Sequence, residues 1–588
     1  MRGPSSFRPA RVSGAADRSC AALRYARAVQ SSHGELRTLG VVYTPPAVTE
    51  PMTRVALEPL LRGRTADELI ALRVCDPAIG EGAFLVAAVR VITEHLELAG
   101  LAPGAAREAA AGCICGVDVD PRAVEAARQA LGVGAAQLQI ADALALDWPA
   151  AFPAVFAAGG FDAVIGNPPY VRQEHLRRHK PRLRQFASYD GVADLYIYFV
   201  ELAHRLARPG GRYCLITPNK WLTAAYARAL RGYLASQRSV EGIVDLGRTV
   251  LFDGADAFPC VVWGTVGAAH DLPIRGARLP AGAALELGDG APQARERWRA
   301  DPWHIDAPAE RALIDQLEAR WPPLRELVPG RPSRGVVTGC NRAFVLDRAA
   351  RDALLTAEPS ATAVIRPFLK GRDVRRWAAA GGERWILLVD RGTPLDDLPE
   401  VARHLARFRS ALEPRPPASR APWHGRKPGP YRWYELQDPV GPLIKARAPR
   451  LLYQDIQTGP ACCLDLDGDI VPDTTVWMLP SADLYLLAVL NAPIYGWYAR
   501  RRFPPALNGS VRPKLEHIAN FPVATPGDAE RTAIEQLVVQ RIEREPARRA
   551  GSPEAAEATR ELDAAIADLV HDAYELTAAD RALVAQAG

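Results

Sequence analysis

The chain has 588 residues, of which 48% are hydrophobic and 24% are charged, and its formal net charge is +5. This length predicts about three or four compact units, and the small net charge excludes a protein that is basic throughout. The nine cysteines form no CxxC pair, so we expect neither a metal site nor a disulfide framework. Because no apolar run approaches the roughly 18 residues of a membrane span and no secretory signal is recognised, we expect a cytoplasmic protein that does not enter a membrane.

The N-terminal stretch changes character at about residue 38. Residues 1–37 are rich in arginine and serine and poor in acids, so we expect a disordered arm. The following Tyr43-Thr44-Pro45 segment precedes a helical pattern of apolar residues. Thr44 is a suitable N-cap there, with Pro45 at the first helical position.

An acidic, glycine-containing loop follows the predicted strand Leu72–Cys75. The loop and the first helical turn read Asp76, Pro77, Ala78, Ile79, Gly80, Glu81, Gly82, Ala83 and Phe84. Two glycines let the backbone approach a ligand closely. A dinucleotide is disfavoured, because Leu85 occupies the third glycine position and Glu81 would repel a pyrophosphate. A ligand without phosphates, which carries an amino-acid portion and a sulfonium, suits this loop better.

Two more predicted strands also end near acids. The strand Cys113–Val119 contains Asp118 at its tip, and the strand Gln137–Ile140 is followed closely by Asp142. Each acid alone is more commonly a helix cap. Arranged in order around one glycine loop, Asp118 is placed to accept hydrogen bonds from ribose hydroxyls and Asp142 to meet an adenine amine.

A rigid four-residue motif follows the predicted strand Phe161–Gly166. It reads Asn167-Pro168-Pro169-Tyr170. The prolines end the strand and bias Asn167 towards an extended backbone at the sheet edge where open α/β folds place their ligands. The Asn167 amide oxygen and the Pro168 carbonyl offer two acceptors to one planar NH2 group, and Tyr170 offers a face for ring stacking. The alternative is a plain Asn-Pro turn beside a core tyrosine.

Together these residues resemble the adenine-specific amino methyltransferases that use S-adenosylmethionine, and the motif order resembles their γ class. The similarity spans Leu39 to about Val266. It implies a Rossmann-like S-adenosylmethionine-dependent domain of α/β class. It implies cofactor contacts at Thr44, Asp76, Pro77, Ala78, Gly80, Gly82, Phe84, Asp118, Asp142 and Asn167. It implies that the target base is held by Asn167, Pro168, Pro169 and Tyr170, with Phe252 stacking on it; Phe258 is the rival position for this stacking residue.

Composition predicts how the rest of the chain is organised. We expect a catalytic domain over 38–270, a connector over 271–330, an α+β DNA target-recognition domain over 331–525 and C-terminal helices over 526–588. Residues 331–520 contain 28 basic and 19 acidic residues, and within them 401–450 contains 11 basic and 3 acidic ones. Basic and aromatic side chains alternate around Trp423–Tyr434, as expected for a surface that grips phosphates and contacts bases.

The segment Ile365–Asp373 resembles the target-recognition domain of Taq-like methyltransferases and type IIG enzymes. The DNA contacts predicted from these two stretches are Lys370, Arg372, Arg426, Lys427, Arg432 and Trp433. A solvated loop on an ordinary domain is the alternative interpretation of 401–450.

These patterns predict transfer of a methyl group to the N6 amine of a flipped-out adenine in double-stranded DNA, in restriction-modification or phage defence. Two alternatives stay open: an RNA or protein-glutamine methyltransferase, and a modification or specificity subunit that works with a separate nuclease. N4-cytosine methylation is a third, because the same acceptor pair suits that amine. None of the six lysines follows an acid by two residues, so we expect no Asp/Glu-x-Lys nuclease motif within this chain.

Overall fold

The computed structural model describes residues 44–132, 136–177, 179–247, 258–267, 273–279, 283–288, 290–416, 422–506 and 509–586. The chain divides into two compact units, the first ending at Ala307 and the second beginning at Pro308. Within these ranges no helix is both long and apolar enough to cross a membrane. The predicted arm, residues 1–37, and Phe252 lie outside the described residues.

A nine-stranded sheet forms the centre of the first unit. Its strands are β1 Val74–Asp76, β2 Ile114–Asp118, β3 Gln137–Ile140, β4 Phe161–Gly166, β5 Ala207–Pro218, β6 Val240–Asp245, β7 Pro259–Thr265, β8 Ile274–Arg278 and β9 Ala291–Gln293. Their order across the sheet is β3-β2-β1-β4-β5-β7-β6-β8-β9. Neighbours from β3 to β5 are parallel, whereas β7 is antiparallel to both β5 and β6. The carboxyl ends of β1 to β6 therefore meet at one edge.

Helices accompany this sheet on both faces. Those of eight or more residues are α1 Pro46–Leu61, α2 Ala83–Leu98, α3 Pro103–Gly112, α4 Pro121–Leu131, α5 Tyr196–Leu206 and α6 Arg228–Gln237. Shorter α-helical segments are Ala66–Ile70, Trp148–Ala151, Pro153–Ala157 and Lys180–Leu183. Helices α1 to α4 share one hydrophobic core and α5 and α6 share the other.

Alternate residues of the central strands enter opposite cores. Cys75 and Val164 pack in the core of α5 and α6, while Val74 and Ile165 pack in the core of α1 to α4. Side chains alternate across a strand, so an apolar run such as Phe161–Gly166 predicts a strand that is covered on both faces. The mixed α/β fold with a large sheet is thus confirmed.

The structure differs from the sequence prediction at two places in this unit. Strand β5 begins at Ala207, whereas the apolar pattern predicts a helix over 193–207, a Pro209-Gly210-Gly211 turn and a strand only from Arg212. An irregularity in its pairing with β4, between Phe161 and Ala163, accommodates this start. Strands β8 and β9 lie inside the stretch predicted as a connector, 271–330, and they extend the main sheet.

The second unit contains two four-stranded sheets. Its strands are β10 Ser333–Arg334, β11 Val345–Asp347, β12 Ile365–Leu369, β13 Arg384–Leu387, β14 Arg450–Gln454, β15 Cys462–Asp465, β16 Val471–Pro472 and β17 Val476–Leu479. One sheet has the order β10-β17-β14-β15 and the other β11-β13-β12-β16. The β14 sheet lines one hydrophobic core with Leu451 and Leu479. Its Leu452 and Met478 enter a second core, which it shares with the β12 sheet.

Helices complete both cores of the second unit. Those of eight or more residues are α7 Pro308–Arg320, α8 Arg348–Ala357, α9 Pro399–Ala406, α10 Leu484–Asn491, α11 Pro493–Arg502, α12 Asp528–Glu543, α13 Pro553–Ala573 and α14 Ala578–Ala585. Shorter α-helical segments are Leu324–Leu327, Asn341–Phe344, Arg409–Leu412, Pro442–Lys445, Leu515–Ile518 and Glu545–Arg549. The last three long helices bury Ile534, Ile566 and Val584 in the core of the β14 sheet.

Candidate functional site

The carboxyl edge of the large sheet brings together the acids and the Asn-Pro-Pro-Tyr motif. Strand β1 ends at Asp76, its neighbour β2 ends at Asp118, and β4 on the other side ends one residue before Asn167. Asp142 follows β3 by two residues. The edge therefore collects the predicted side chains from four adjacent parallel strands.

The two loop glycines have different structural roles. Both have left-handed backbones, with φ of +53° at Gly80 and +84° at Gly82. A β-carbon at Gly82 would lie 3.0 Å from the β-carbon of Ala127 in α4, so this glycine lets the loop pack on a helix. No atom lies within 4 Å of a β-carbon built at Gly80. Of the two, only Gly80 faces open space.

The residues around the glycines belong mostly to the core. Pro77 and Phe84 are buried, and Phe84 packs in the core of α1 to α4. Ala78 is partly exposed, and its N–H donates to Oδ1 of Asp76 at 2.9 Å. These residues therefore support the backbone of the loop.

Asp76 is a buried carboxyl group with one free oxygen. It is 1% exposed, and its Oδ2 accepts no hydrogen bond from the part of the chain that the structure describes. Burial raises the pKa of Asp76 to about 8, with the Ala78 hydrogen bond opposing the shift and the nearby charge of Asp118 adding to it. A buried oxygen without a donor is costly, which suits a site completed by a ligand that donates.

The other two acids already hold their own loops. Asp118 accepts the Gly80 N–H on Oδ2 and the Asp120 N–H on Oδ1, each at 2.9 Å. Asp142 accepts the Leu144 N–H on Oδ1 at 3.1 Å. Each carboxylate oxygen can accept a second hydrogen bond, so these contacts leave room for hydroxyl or amine donors.

Two exposed apolar side chains at this edge are absent from the sequence prediction. Val119 follows β2 and is 65% exposed, and Ile140 ends β3 and is 53% exposed. Ile140 pairs in register with Asp118. The signal that could have found them is a large apolar residue beside each strand-end acid, where solvent exposure is unfavourable unless a flat ligand covers it.

The amide of Asn167 is held by a residue from the start of α1. Its Nδ2 donates to Oγ1 of Thr44 at 3.0 Å. Its Oδ1 is buried and receives no hydrogen bond within the described ranges. The Thr44 contact therefore engages one of the two N–H donors of the amide and leaves its acceptor oxygen without a partner among the described residues.

Thr44 does not cap the helix, which corrects the sequence prediction by one position. Helix α1 has Pro45 at the N-cap and Pro46 at its first position. Either Pro45 or Pro46 could stand at the first helical position, and in the structure that residue is Pro46. The hydroxyl of Thr44 is thereby free to meet Asn167, which lies 123 residues away in sequence.

Tyr170 and the prolines form the wall next to Asn167. Pro168 is buried, and Pro169 and Tyr170 are partly exposed. The Tyr170 ring meets the edge of Tyr196, with ring centroids 6.2 Å apart. Its hydroxyl has no partner among the described residues, and burial raises the pKa of Tyr170 above its ordinary value. The hydroxyl is therefore neutral at physiological pH.

The predicted DNA contacts of the second unit differ in exposure. Arg426 is 4% exposed, and its guanidinium donates to the backbone carbonyls of Thr338, Leu412, Arg432, Trp433 and Glu435. These contacts occupy its donors, so the expectation that it contacts phosphates is corrected to a structural role.

The remaining predicted contacts reach the surface. Lys427 and Arg432 are exposed, and the Arg432 Nη1 donates to the Tyr434 hydroxyl at 2.6 Å. Trp433 is partly exposed, with the Arg409 guanidinium 4.6 Å from its ring centroid.

The second stretch of predicted contacts follows β12. Arg372 is exposed and Lys370 is partly exposed. The Lys370 N–H donates to Oδ2 of Asp373, which fixes the backbone of this turn. Across all described residues no group of three or more His, Cys, Asp or Glu side chains is arranged to hold a metal ion.

Comparisons with known proteins agree with this architecture. The family model described as Eco57I restriction-modification methylase matches residues 112–252. The type II methyltransferase M.PaeR7I of Pseudomonas aeruginosa is 30% identical over 359 residues, which span 56% of this chain and 58% of that protein. The type II methyltransferase M.BstVI of Geobacillus stearothermophilus is 25% identical over 552 residues, spanning 86% of this chain and 93% of that protein.

One solved structure shares the fold over most of the chain. The type IIL restriction-modification enzyme MmeI, solved in complex with DNA, superposes with a TM-score of 0.62 at 16% identity, covering 92% of this chain and 76% of that one. The chain is therefore similar to type II methyltransferases, and its residues 112–252 are similar to the Eco57I restriction-modification methylases.

Proposed function

We propose that the protein is an S-adenosylmethionine-dependent DNA methyltransferase that methylates the N6 amine of an adenine flipped out of duplex DNA. The observation that carries this proposal is the Asn167 amide, which donates to Thr44 and whose buried acceptor has no partner in the described part of the chain. An open acceptor requires an N–H donor, and an exocyclic amine supplies two.

The acceptor pair would prepare the amine for reaction. The lone pair of an adenine amine is delocalised into the ring, which makes the nitrogen a poor nucleophile. Asn167 Oδ1 and the Pro168 carbonyl would each accept a hydrogen bond from one N–H of the amine. These two bonds would favour a pyramidal nitrogen, whose lone pair is no longer delocalised into the ring. Such preorganised acceptors and a fixed orientation lower the barrier without a covalent intermediate. Because the hydroxyl of Tyr170 is neutral, we assign that residue to stacking and not to proton abstraction.

The glycine-loop side of the edge fits the cofactor. S-adenosylmethionine would supply an electrophilic methyl group on a sulfonium. The free Oδ2 of Asp76 suits its cationic amino-acid end, and the open space at Gly80 gives that end room. Asp118 and Asp142 would accept hydrogen bonds from ribose and adenine, while the exposed side chains of Val119 and Ile140 would gain an apolar cover.

Duplex DNA is the substrate best supported. The amine of a paired adenine is inside the helix, so an edge-bound acceptor pair reaches it only after base flipping. Tyr170 would stack on the flipped base, with Phe252 as the proposed second stacking residue. The exposed Lys427 and Arg432 and the partly exposed Trp433 would supply cationic and aromatic groups for the duplex. Similarity to type II methyltransferases and to the Eco57I restriction-modification methylases supports a role in restriction-modification.

The deciding experiment is methyl transfer from labelled S-adenosylmethionine to mixed-sequence duplex DNA, followed by nucleoside mass spectrometry. We expect N6-methyladenine from the wild type and none from Asn167→Ala. The exposed Asn520→Ala serves as a matched control with full activity. Calorimetry should show that Asn167→Ala still binds the cofactor.

Other products would redirect the proposal. N4-methylcytosine in place of N6-methyladenine would keep the acceptor pair and change the base. Label in RNA or protein, with none in DNA, would contradict the proposed substrate. Loss of cofactor binding by Asn167→Ala would indicate that the motif is structural.

A further inference from the structure

Three side chains from separate segments of the second unit converge on one carboxylate, that of Asp455. Oδ2 of Asp455 lies 2.6 Å from the Nη2 of Arg512 and 3.8 Å from the Nη2 of Arg334. Its Oδ1 accepts the indole N–H of Trp477 at 2.9 Å. We call Arg334, Asp455, Trp477 and Arg512 the Asp455 cluster.

Both guanidinium groups of the cluster are fixed in orientation. Arg334 also donates from Nε and Nη2 to the carbonyl of Thr474 at 3.1 and 2.6 Å, and its guanidinium lies 5.3 Å from the Trp477 ring centroid. The loop that carries Arg512 is tied by two backbone hydrogen bonds between Gln457 and Val511, of 2.9 and 2.8 Å. Neither arginine needs to lose much side-chain entropy on binding a partner.

Burial within the cluster is unequal. The Asp455 side chain is only 7% exposed, whereas those of Arg334 and Arg512 are 47% and 40% exposed. Although burial raises it, the hydrogen bonds from Arg512 and Trp477 leave the pKa of Asp455 below its ordinary value. The carboxylate is thus ionised and interior, and the two cations face solvent with a surplus of one positive charge.

Free donors remain on both arginines. Nη1 of Arg334 and Nη1 of Arg512 make no hydrogen bond or ion pair with any residue in the described ranges. Because both Nη2 atoms approach the same oxygen, the two guanidinium groups are neighbours. Ile456, next to the carboxylate in sequence, is an apolar side chain that is 51% exposed.

We propose that Arg334 and Arg512 read a guanine edge in the recognition sequence of the DNA, with Ile456 as the adjoining apolar contact. This inference rests on the proposed function and assigns it specificity residues. Guanine presents O6 and N7 side by side in the major groove, and arginine is their commonest protein partner. A phosphate contact gains little from a carboxylate that fixes the cation, because phosphates specify position and not sequence. Fixed donors that are free to bind are what base readout requires.

The test maps the methylated sites on a random duplex library for the wild type, Arg512→Gln and Arg334→Gln. Each substitution removes the positive charge and keeps a polar side chain. We expect the preference for guanine at one position of the site to fall by about tenfold or more, with unchanged preference at the other positions. Cofactor affinity should match that of the wild type. The melting temperature should fall, because each substitution removes a cation that compensates the interior Asp455 carboxylate, so site preference is compared on folded protein.

Two further variants sharpen the result. Asp455→Asn keeps both arginines but removes the anion that orients them, so it should relax the same guanine position. Arg560→Gln is the matched control, since Arg560 is an exposed arginine paired with Glu557 on α13, and it should leave the site unchanged.

The contrary outcomes are distinct. A uniform loss of methylation at all sites, with a weaker salt dependence of binding, would assign the arginines to phosphates and overturn the inference. An unchanged site preference would reduce the cluster to loop stabilisation and also overturn it. Absence of DNA methylation by the wild type itself would overturn the proposed function and this inference together.

Discussion

At the scale of single residues, the central feature is that the nitrogen of the Asn167 amide is bound within the protein whereas its oxygen is not. Thr44 Oγ1 takes the donor nitrogen, so the acceptor oxygen has a defined direction before any base arrives. A freely rotating amide would spend part of its time with the nitrogen facing the amine, where two donors would oppose each other. Thr44 is in this sense a positioning residue for the proposed reaction.

Replacing Thr44 by valine removes the acceptor and keeps the shape. We expect kcat to fall by about tenfold, the equivalent of one net hydrogen bond, while KM for DNA changes little. Thr44→Ser should recover most of the activity because it restores the hydroxyl. Steady-state kinetics on a single-site duplex measures both. A fall in cofactor affinity without a fall in kcat would show that Thr44 serves the cofactor alone.

The pH dependence of cofactor binding follows from Asp76. Its pKa is raised by burial to about 8, so below pH 8 the carboxyl group mostly keeps its proton. A cationic ligand group beside it favours the ionised form, and binding then releases a proton. We expect affinity for S-adenosylmethionine to rise by up to about tenfold per pH unit between pH 6 and 7.5.

Calorimetry in buffers of different ionisation enthalpy tests this proton release directly. Asp76→Asn cannot ionise, so its weaker binding should be independent of pH over the same range. A wild-type affinity that is flat across this range would mean that Asp76 does not face the cofactor.

At the scale of elements, the strands that could be predicted from sequence are apolar runs that end at Asp or Pro. Strands β3 and β4 have the predicted bounds, Gln137–Ile140 and Phe161–Gly166, because apolar runs followed by Asp or Pro mark strand ends. Strands β8 and β9 were missed because they are short, contain glycine or proline, and gain stability from neighbouring strands and not from their own pattern.

The site was predictable in its parts but not in its contacts. Sequence patterns indicate that Asp76 and Asn167 lie at the same edge, since parallel strands end there together. The pairing of Thr44 with Asn167 depends on a tertiary contact between distant segments, and so does the burial of Arg426. An arginine within a basic, aromatic stretch looks solvated until the carbonyls around it are seen.

The glycine loop allows a matched pair of substitutions. Both Gly80→Ala and Gly82→Ala force a β-carbon into a left-handed backbone at about 1–2 kcal/mol. Gly82→Ala also presses on Ala127, so we expect the larger loss of unfolding free energy there. Gly80→Ala should instead cost mainly cofactor affinity, because its β-carbon points into open space. Urea denaturation and cofactor titration of both variants separate the two effects; equal results in both assays would refute this division.

At the scale of the whole molecule, charge is uneven along the chain although its net value is only +5. The basic surplus of 401–450 contains exposed side chains such as Lys427 and Arg432 and at least one interior arginine, Arg426. We therefore expect affinity for DNA to depend on which of these basic side chains are exposed and not on their number.

Salt dependence of DNA binding measures this distinction. We expect the double variant Lys427→Gln, Arg432→Gln to lower the slope of log affinity against log salt by about 2, close to 0.9 for each lost phosphate contact. Arg403→Gln, at an exposed arginine paired with Glu400, is the control and should leave the slope unchanged. An unaltered slope in the double variant would show that Lys427 and Arg432 face solvent and do not contact phosphates.

Arg426→Gln should behave differently from the surface variants. Its loss would leave buried carbonyls without donors, each at about 1–3 kcal/mol, so the protein should melt at a lower temperature. The salt slope of the fraction that stays folded should match the wild type. A changed slope with an unchanged melting temperature would show that Arg426 contacts DNA and is not mainly structural.

The absence of a side chain at Gly166 has a kinetic consequence. A β-carbon there would lie 2.5 Å from Oδ1 of Asp76, so the carboxyl group rests directly against the strand that delivers Asn167. Movement or ionisation of Asp76 would then affect the position of the Asn167 amide, which we propose holds the target base. The proposed reaction would then follow an ordered mechanism in which the cofactor binds before the base. A nucleotide that entered first would meet an Asn167 amide that had not yet reached its final position.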